Sequence, residues 1–182
     1  MQPFCVLISV ISERGKIFMN DKSMDYKNEV IISLNKYSNM VFRLAFARTK
    51  NNHDANDIMQ EVFLRYMKNK KEFKDEEHKK AWLIKTTINC SKTLLTSAWF
   101  RKTTSLEDNI VEELKEKSEV YYATLKLSKK YRTVIHLFYY EDYSVREIAD
   151  ILKLSESNVK TRLSRGRSLL KTALKEEWEN DE

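Results

Sequence analysis

Residues 143–171, YSVREIADILKLSESNVKTRLSRGRSLLK, predict two short helices separated by a tight turn. Ser144 precedes the first helix and Ser155 precedes the second, and serine is a favoured N-terminal cap because its hydroxyl accepts a backbone N–H. The first helix has an apolar face at helical spacing, made of Val145, Ile148, Ala149, Ile151 and Leu152. Because Leu154 fills the turn, the segment has the dimensions of a helix-turn-helix.

The second of these helices divides into an apolar face and a basic, hydroxyl-rich face. Its expected inward residues are Val159, Leu163, Gly166, Leu169 and Leu170. Its expected outward residues are Lys160, Thr161, Arg162, Ser164, Arg165 and Arg167. Such a helix fits a DNA major groove, where cations meet phosphates and hydroxyl and guanidinium groups meet base edges. The alternative is a solvated surface helix, but the spacing of the two helices favours DNA binding.

The composition indicates an all-α protein. The 182 residues include two glycines and one proline, whereas sheet proteins need glycine-bearing turns. Lysine, glutamate, leucine, isoleucine and methionine are abundant, and these residues form helices well or fairly well. The formal net charge of +6 favours an acidic partner such as nucleic acid.

The cysteines and histidines do not form a pattern typical of a metal site. Cys5 and Cys90 are far apart in the chain, and His53, His78 and His136 have no ligand spacing with them or with each other. We therefore expect no metal, no cofactor and a reducing, cytoplasmic location. The sequence also lacks a catalytic constellation and a glycine-rich phosphate loop, so we do not expect an enzyme.

The chain begins with an apolar stretch, Phe4 to Ile11, that is too short to span a bilayer. No basic residue precedes it, as a signal peptide would require. It could form an extra strand or a disordered arm, or result from an upstream start, because Met19 and Met24 stand just before the first helical pattern. We expect residues 1–24 to be a non-essential leader, and we expect no membrane insertion.

A first helical domain is expected at residues 25–102, with three amphipathic patterns. The first pattern has its inward face at Val30, Ile31, Leu34, Tyr37, Val41, Leu44, Ala45 and Arg48. A polar break at Asn51 to His53 follows, and Asp54 or Asn56 is the expected cap of the second helix. An exposed, highly charged loop around Phe73 leads to the third helix.

The rest of the chain is expected to form a linker and a second small helical domain. Residues 103–119 are acidic and have few large apolar side chains, which is typical of a flexible linker. Residues 120–175 contain two helical patterns followed by the helix-turn-helix, and residues 176–182 form an acidic, frayed tail.

With a first helical domain, a linker and a helix-turn-helix domain in this order, the chain resembles a bacterial extracytoplasmic-function (ECF) sigma factor of the sigma-70 family. Three stretches carry the resemblance: DANDIMQEVFLRYMK at 54–68, HKKAWLIKTTINCSKTLL at 78–95, and LSKKYRTVIHLFYYEDYSVREIADILKLSESNVKTRLSRGRSLLKTAL at 127–174. The resemblance implies a protein that binds core RNA polymerase and directs it to the minus-10 and minus-35 elements of promoter DNA. It also implies an anti-sigma factor that covers both domains.

The resemblance assigns one face of the second helix to core RNA polymerase. The implied contacts are Asp54, Asp57, Gln60 and Glu61. Acids in a first helical turn also stabilise a helix without any partner, which would account for Asp54 and Asp57 but not for the other two.

The third helix is the one that the resemblance assigns to the minus-10 element. Its implied contacts are Lys85, Asn89 and Lys92, since cations beside aromatic rings suit unpaired bases. Trp82 fits the core better than the DNA contact because it shares the inward stripe. Phe73 and Lys74 in the preceding loop are further candidates for a base pocket.

The helix-turn-helix is the part that the resemblance assigns to the minus-35 element. Lys160, Thr161, Ser164 and Arg165 stand where the family reads bases, and Arg162 and Arg167 are implied phosphate contacts. Arg165 is the main candidate because a guanidinium group binds guanine or phosphate in bidentate fashion. Gly166 stands where the family usually has alanine, at a cost to the helix of about 1 kcal/mol.

Two other functions remain open on the sequence. One is a stand-alone helix-turn-helix transcriptional regulator with an N-terminal sensing or dimerisation domain, and the other is a helical adaptor that binds no nucleic acid. The acidic, amide-bearing face from Asp54 to Glu61 distinguishes a sigma factor from the stand-alone regulator, because a self-sufficient regulator has no need of it.

Overall fold

The computed structural model of the chain describes residues 21–69, 72–97 and 119–180. Within these ranges every regular element is an α-helix, which confirms the all-α prediction. The helices are α1 Asp21–Thr49, α2 Asn52–Lys68, α3 Glu76–Ser97, α4 Glu119–Lys126, α5 Lys129–Tyr139, α6 Val145–Leu152 and α7 Glu156–Asn180. Residues 1–20 of the predicted leader and residues 103–118 of the predicted linker lie outside the described residues.

Helices α1, α2 and α3 pack on one another and form an N-terminal unit. Fully buried side chains from all three helices fill its core, among them Val41, Leu44, Ile58, Phe63, Leu83 and Ile84. The prediction that Ile31 faces inward is wrong, because 44% of its surface is exposed. Neighbouring residues on a helix point about 100° apart, and Val30 takes the inward position instead.

The chain reverses between α1 and α2 at Lys50 and Asn51. Lys50 has a φ of 59°, in the left-handed region that ends a helix. The Asn51 side chain then accepts a hydrogen bond from the backbone N–H of Asp54 at 2.9 Å. The predicted break is therefore shorter than expected, and the prediction of Asp54 or Asn56 as the cap is wrong, because Asn51 is an equally good capping residue one turn earlier.

The charged connection between α2 and α3 holds an aromatic side chain inside the unit. The Phe73 ring lies 5.9 Å from the Tyr66 ring and 5.8 Å from the Trp82 ring, centroid to centroid. Phe73 is thus not the isolated residue of an exposed loop that the sequence suggested, since α2 and α3 each supply a ring against which it packs. Asp75 then begins α3 by accepting the N–H of His78 at 2.7 Å.

Glu76, in the first turn of α3, ties this helix to α1. Its carboxylate accepts hydrogen bonds from Lys36 Nζ at 2.6 Å and Tyr37 Oη at 2.7 Å, and it forms an ion pair with Lys79 at 2.9 Å. Hydrogen bonds from Lys36, Tyr37 and Lys79 lower the pKa of the Glu76 carboxyl to about 2.

This depressed pKa predicts a specific acid sensitivity. Because the folded-state pKa lies below the unfolded value of 4.5, the stabilising contribution is complete above that value and is lost as the pH falls towards 2. The side chain is half exposed, so the effect should be small, about 0.5 kcal/mol. We expect the urea midpoint of Glu76→Gln to fall less than that of the wild type between pH 4.5 and 2, and Glu77→Gln to behave as the wild type. Parallel profiles for Glu76→Gln and the wild type would refute the assignment.

Helices α4 to α7 form a C-terminal unit that ends in the helix-turn-helix of α6 and α7. Ser144 and Glu147 form a reciprocal capping box at the start of α6. Lys153, with a φ of 55°, ends that helix, and Ser155 Oγ accepts the N–H of Asn158 at 3.2 Å at the start of α7. Both predicted serine caps are confirmed.

Gly166 lets α7 approach α5 closely. A Cβ atom at this position would lie 3.1 Å from Ile135 Cγ1, which is tighter than an ordinary contact, so an alanine here would require the Ile135 side chain to shift. Val159 and Leu163 are buried as predicted, but the inward prediction for Leu169 is wrong, since 45% of its surface is exposed. The helix also continues to Asn180, so the predicted frayed tail is helical to that residue.

The two units are packed together through α1 and α5. Arg48 donates to Thr133 Oγ1 at 2.8 Å, and Arg132 donates to the carbonyl oxygens of Ala47, Leu125 and Leu127. Both guanidinium groups are buried. Burial lowers the pKa of each to about 10, with repulsion from Arg132 adding to the effect on Arg48, and both remain charged at neutral pH.

A buried carboxylate makes the second contact between the units. Glu141 lies between α5 and α6, with its Oε1 atom 3.4 Å from His136 Nε2 and 3.9 Å from Arg43 Nη2. Lys80 of α3 donates to the Glu141 carbonyl at 3.0 Å and lies 5.0 Å from the centre of the Tyr143 ring. Residues of α1 and α3 thereby hold the turn that precedes the helix-turn-helix.

Across the described ranges, we find no helix with both the length and the apolar character needed to cross a bilayer.

Candidate nucleic-acid interface

The outer face of α7 carries four of the residues that the sequence predicted for base contact. Because α6 packs against the buried side of α7, the opposite side is open to solvent. The exposed residues there are Lys160, Thr161, Ser164 and Arg165. They lie at positions i, i+1, i+4 and i+5, so they form one continuous strip over the first turns of the helix. The Thr161 hydroxyl donates to the Ser157 carbonyl at 2.9 Å, which leaves its oxygen as an acceptor.

The two predicted phosphate contacts on α7 face different directions. Arg162 is half-buried and lines a polar cleft beside the base-contact strip. Arg167 is exposed and lines a separate apolar groove between α4, α5 and α7, together with Tyr139 and Leu170. The structure therefore brings Arg162 to the strip and places Arg167 away from it.

The polar cleft also contains residues that sequence reasoning missed. It lies between the start of α5 and the start of α7 and has a volume of about 440 Å³. From α5 come Lys130 and Tyr131, which precede the helix-turn-helix in sequence and lie outside it. Desolvation acts to raise the pKa of the Tyr131 hydroxyl, but the nearby cations of Arg165 and Lys130 lower it overall. A sequence signal existed in the two lysines that open α5, where a helix normally favours acids.

Helix α3 presents the three residues predicted for the minus-10 element on one exposed face. Lys85, Asn89 and Lys92 are all exposed and follow each other at four- and three-residue spacing. Trp82 lies one turn before Lys85 and is half-buried, with its ring 6.1 Å from that of Tyr66. The prediction that Trp82 belongs to the core is confirmed, because it packs against the buried cluster of this unit.

Helix α2 displays the four residues predicted for polymerase binding along one side. Asp57 and Glu61 are exposed, whereas Asp54 and Gln60 are half-buried. Each exposed acid has a partner four residues away: Asp57 lies 3.3 Å from His53, and Glu61 lies 2.7 Å from Arg65. Glu61 is thus in an exposed ion pair, and exposed pairs of this kind exchange partners at little cost.

Fold and interface together define a two-unit helical DNA-binding protein. Comparison with known proteins identifies the family within this class. Residues 34–101 match sigma-70 region 2, and residues 117–170 match sigma-70 region 4. The chain is 28% identical over 163 residues to RNA polymerase sigma factor SigV of Bacillus subtilis (strain 168), covering 86% of this chain and 97% of that protein.

A second relative and a solved structure are also similar to this chain. The ECF RNA polymerase sigma factor SigW of the same organism is 28% identical over 160 residues, covering 77% of this chain and 86% of that protein. The sigma factor RpoE of Bartonella quintana, solved in complex with the anti-sigma factor NepR, shares the fold with a TM-score of 0.63 at 19% identity, covering 83% of this chain and 97% of that chain.

The chain belongs to the sigma-70 family, in its ECF group. It is a sigma factor, and it directs promoter-specific initiation of transcription by core RNA polymerase. The match of α1 to α3 with region 2 disfavours the stand-alone regulator, because a regulator needs no such unit.

Proposed function

We propose that residues 120–175 bind the minus-35 duplex through the outer face of α7. The observation that carries this proposal is the exposed strip of Lys160, Thr161, Ser164 and Arg165 on a capped helix-turn-helix. The strip combines cations with hydroxyl groups, and these are the side chains that meet phosphates and base edges in a major groove. Arg162, at the side of the strip, contacts phosphate, and Arg167 meets the backbone at the other side of the helix.

The minus-10 element is the proposed ligand of residues 25–102, through α3. Lys85, Asn89 and Lys92 share an exposed face, and the aromatic cluster of Phe73 and Trp82 lies at its N-terminal end. A base flipped from the duplex needs stacking surfaces and polar contacts to its edges. The aromatic cluster supplies the stacking surfaces, and the exposed face of α3 supplies the polar contacts.

The side of α2 that carries Asp54, Asp57, Gln60 and Glu61 is the proposed docking surface for core RNA polymerase. Asp57 lies beside His53 and Glu61 beside Arg65, both of the same helix, so a basic or amide-rich surface on the polymerase can replace those partners. The protein acts by binding alone, without catalysis. It works in the cytoplasm, where polymerase and promoter DNA are found, and an anti-sigma factor that covers both units would restrain it.

Run-off transcription with purified core polymerase on genomic fragments tests the function. Discrete transcripts should depend on the protein, and their absence from every fragment would refute promoter-directed initiation. We further expect the double variant Gln60→Ala/Glu61→Ala to bind core polymerase about tenfold more weakly, a loss of about 1.4 kcal/mol over two side chains. Binding of the same variant to duplex DNA should be unchanged.

A matched control removes two exposed polar side chains from α1, Asn35→Ala/Asn39→Ala. This control should bind polymerase as the wild type does. Equal polymerase affinity for both double variants would contradict the assignment of α2, and it would leave the DNA-binding assignments untouched.

A further inference from the structure

The junction between the two units contains a group of cations that is separate from the cleft between α5 and α7. Its members, which we call the junction cluster, are Arg48 of α1, Lys92 of α3, and Lys129 and Arg132 of α5. Burial lowers the pKa of the Lys129 ammonium, and repulsion from the other three members lowers it further. The cluster thus brings like charges from three helices, and from both units, close enough to repel Lys129.

The junction cluster lacks an acidic counter-ion. Among the described residues, none of its members forms an ion pair with a carboxylate. Glu141, the buried acid of the junction, lies beside Arg43 and Lys80 instead. Cations that face one another without an acid disfavour the packed arrangement of the units, so an anion bound among them stabilises it.

Arg48 supplies a buried hydrogen-bond donor that no residue satisfies. Only 6% of the surface of Arg48 is exposed. Its Nη1 atom donates to Thr133 Oγ1 at 2.8 Å, and Thr133 Oγ1 donates in turn to the Lys129 carbonyl at 2.7 Å, so the guanidinium group lies against the first turns of α5. The buried Nε atom of Arg48 has no hydrogen-bond partner. A buried donor without an acceptor destabilises the fold, and an anion at the start of α5 would supply the acceptor.

The start of α5 directs further donors to the same place. The backbone N–H groups in the first turn of a helix need an acceptor from outside the helix, and the Ser128 side chain makes no capping hydrogen bond. The first turn also contains no acid, although its partial positive charge favours one. Helix starts with free N–H groups are sites at which proteins bind phosphate and similar anions.

We propose that the junction cluster binds a small, multiply charged phosphorylated anion, and that this anion bridges the two units. Lys92 and Lys129 are exposed at the surface of the site, whereas Arg48 is buried and supplies the unpaired donor. Guanidinium, ammonium and helix N-terminal N–H groups all favour phosphoryl oxygens, because charge-assisted hydrogen bonds are short and strong. Since the cations come from α1, α3 and α5, the bound anion stabilises the packed units over separated ones.

Titration calorimetry of the full chain with inorganic pyrophosphate tests the site. We expect the wild type to bind pyrophosphate, and its melting temperature to rise by about 3–6 °C at about ten times the Kd. Lys129→Ala and Lys92→Ala should each bind pyrophosphate about tenfold more weakly, because each removes a charged donor. Lys130→Ala is the matched control, since Lys130 is the next residue of α5 but lines the cleft beside α7. It should bind within about twofold of the wild type, because solvent screens an exposed charge outside the site.

Arg48→Met tests the buried donor. Methionine fills much of the same space without a charge or a donor, so pyrophosphate binding should fall by about tenfold or more. Circular dichroism checks that this variant is folded, and the two lysine variants, whose side chains are exposed, test the site if it is not. Wild-type affinity of a folded Arg48→Met would overturn the role of the buried donor.

Further outcomes of the titrations would overturn the proposal. If sodium chloride at equal ionic strength raises the melting temperature as much as pyrophosphate does, the charges are only screened and no site exists. Equal pyrophosphate affinity of Lys129→Ala and Lys130→Ala would exclude the junction cluster as the site, and wild-type affinity of Lys92→Ala would exclude a bridge between the units. If pyrophosphate does not bind and Lys129→Ala instead weakens binding of duplex DNA, the cations serve DNA and the proposal fails.

Discussion

Arg165→Ala should weaken binding to the promoter duplex by about 10- to 100-fold, and it should relax discrimination at one or two base pairs. Arg165 is exposed on the outer face of α7, where it also lines the polar cleft that Tyr131 of α5 shares. The planar fork of a guanidinium group is pre-organised, so the group loses little side-chain entropy when it forms two hydrogen bonds to a guanine. The measurement is anisotropy titration of the full chain against the promoter and against single-base variants of it.

Arg165→Lys and Arg167→Ala are to be compared with Arg165→Ala in the same titrations. Lysine keeps the charge but lacks the fork of donors, so it should restore phosphate attraction without restoring base discrimination. Arg167 faces the apolar groove, away from the base-contact strip, and its loss should weaken all sequences alike. Undiminished discrimination by Arg165→Ala would count against α7 as the recognition helix.

The helix-turn-helix could be predicted from the sequence because its determinants are local. Ser144 and Glu147 lie three residues apart and cap each other, and Ser155 caps the next helix in the same way. The apolar spacing of Val159 and Leu163 also identifies the buried face correctly. Such signals act within one or two turns, so no knowledge of the rest of the chain is needed.

Local signals predicted the structure less accurately where several residues of the right type compete for one position. Asn51, Asp54 and Asn56 are all good caps, and the choice of Asn51 depends on the left-handed turn at Lys50. Leu169 has an apolar side chain next to the inward Leu170, yet it faces solvent, because α5 and α6 cover a narrow stripe of α7. The chain alone does not show how wide the covered stripe is.

The cleft and the junction between the units depend on residues far apart in sequence. Arg48 and Thr133 are separated by 85 positions, and Lys80 meets the Glu141 carbonyl across 61. Lys130 of α5 and Arg165 of α7 line one cleft, and Gly166 lies where α7 approaches Ile135 of α5. These contacts follow from how the helices are arranged, which helical periodicity does not specify.

Arg132→Ala should destabilise the protein by about 3–5 kcal/mol, which is a large part of the stability of an ordinary domain. The Arg132 guanidinium is buried and donates to carbonyl oxygens in the last turn of α1, at Ala47, and at the end of α4, at Leu125 and Leu127. A cation is favoured at both helix ends because each carries partial negative charge. Its removal leaves three acceptors without their donor, and a buried acceptor left unpaired costs about 1–3 kcal/mol.

Urea denaturation followed by circular dichroism measures this loss, with Arg146→Ala as the control. Arg146 is an exposed arginine on α6, so its removal should change the free energy of unfolding by no more than about 0.5 kcal/mol. Arg132→Lys should recover part of the loss, because one ammonium group keeps the charge but cannot reach all three carbonyls. Arg48 donates a single side-chain bond across the same junction and has a buried Nε atom without a hydrogen-bond partner, so Arg48→Met should cost far less than Arg132→Ala. Equal losses for these two variants would mean that the junction depends on its charges and not on the carbonyl oxygens that Arg132 satisfies.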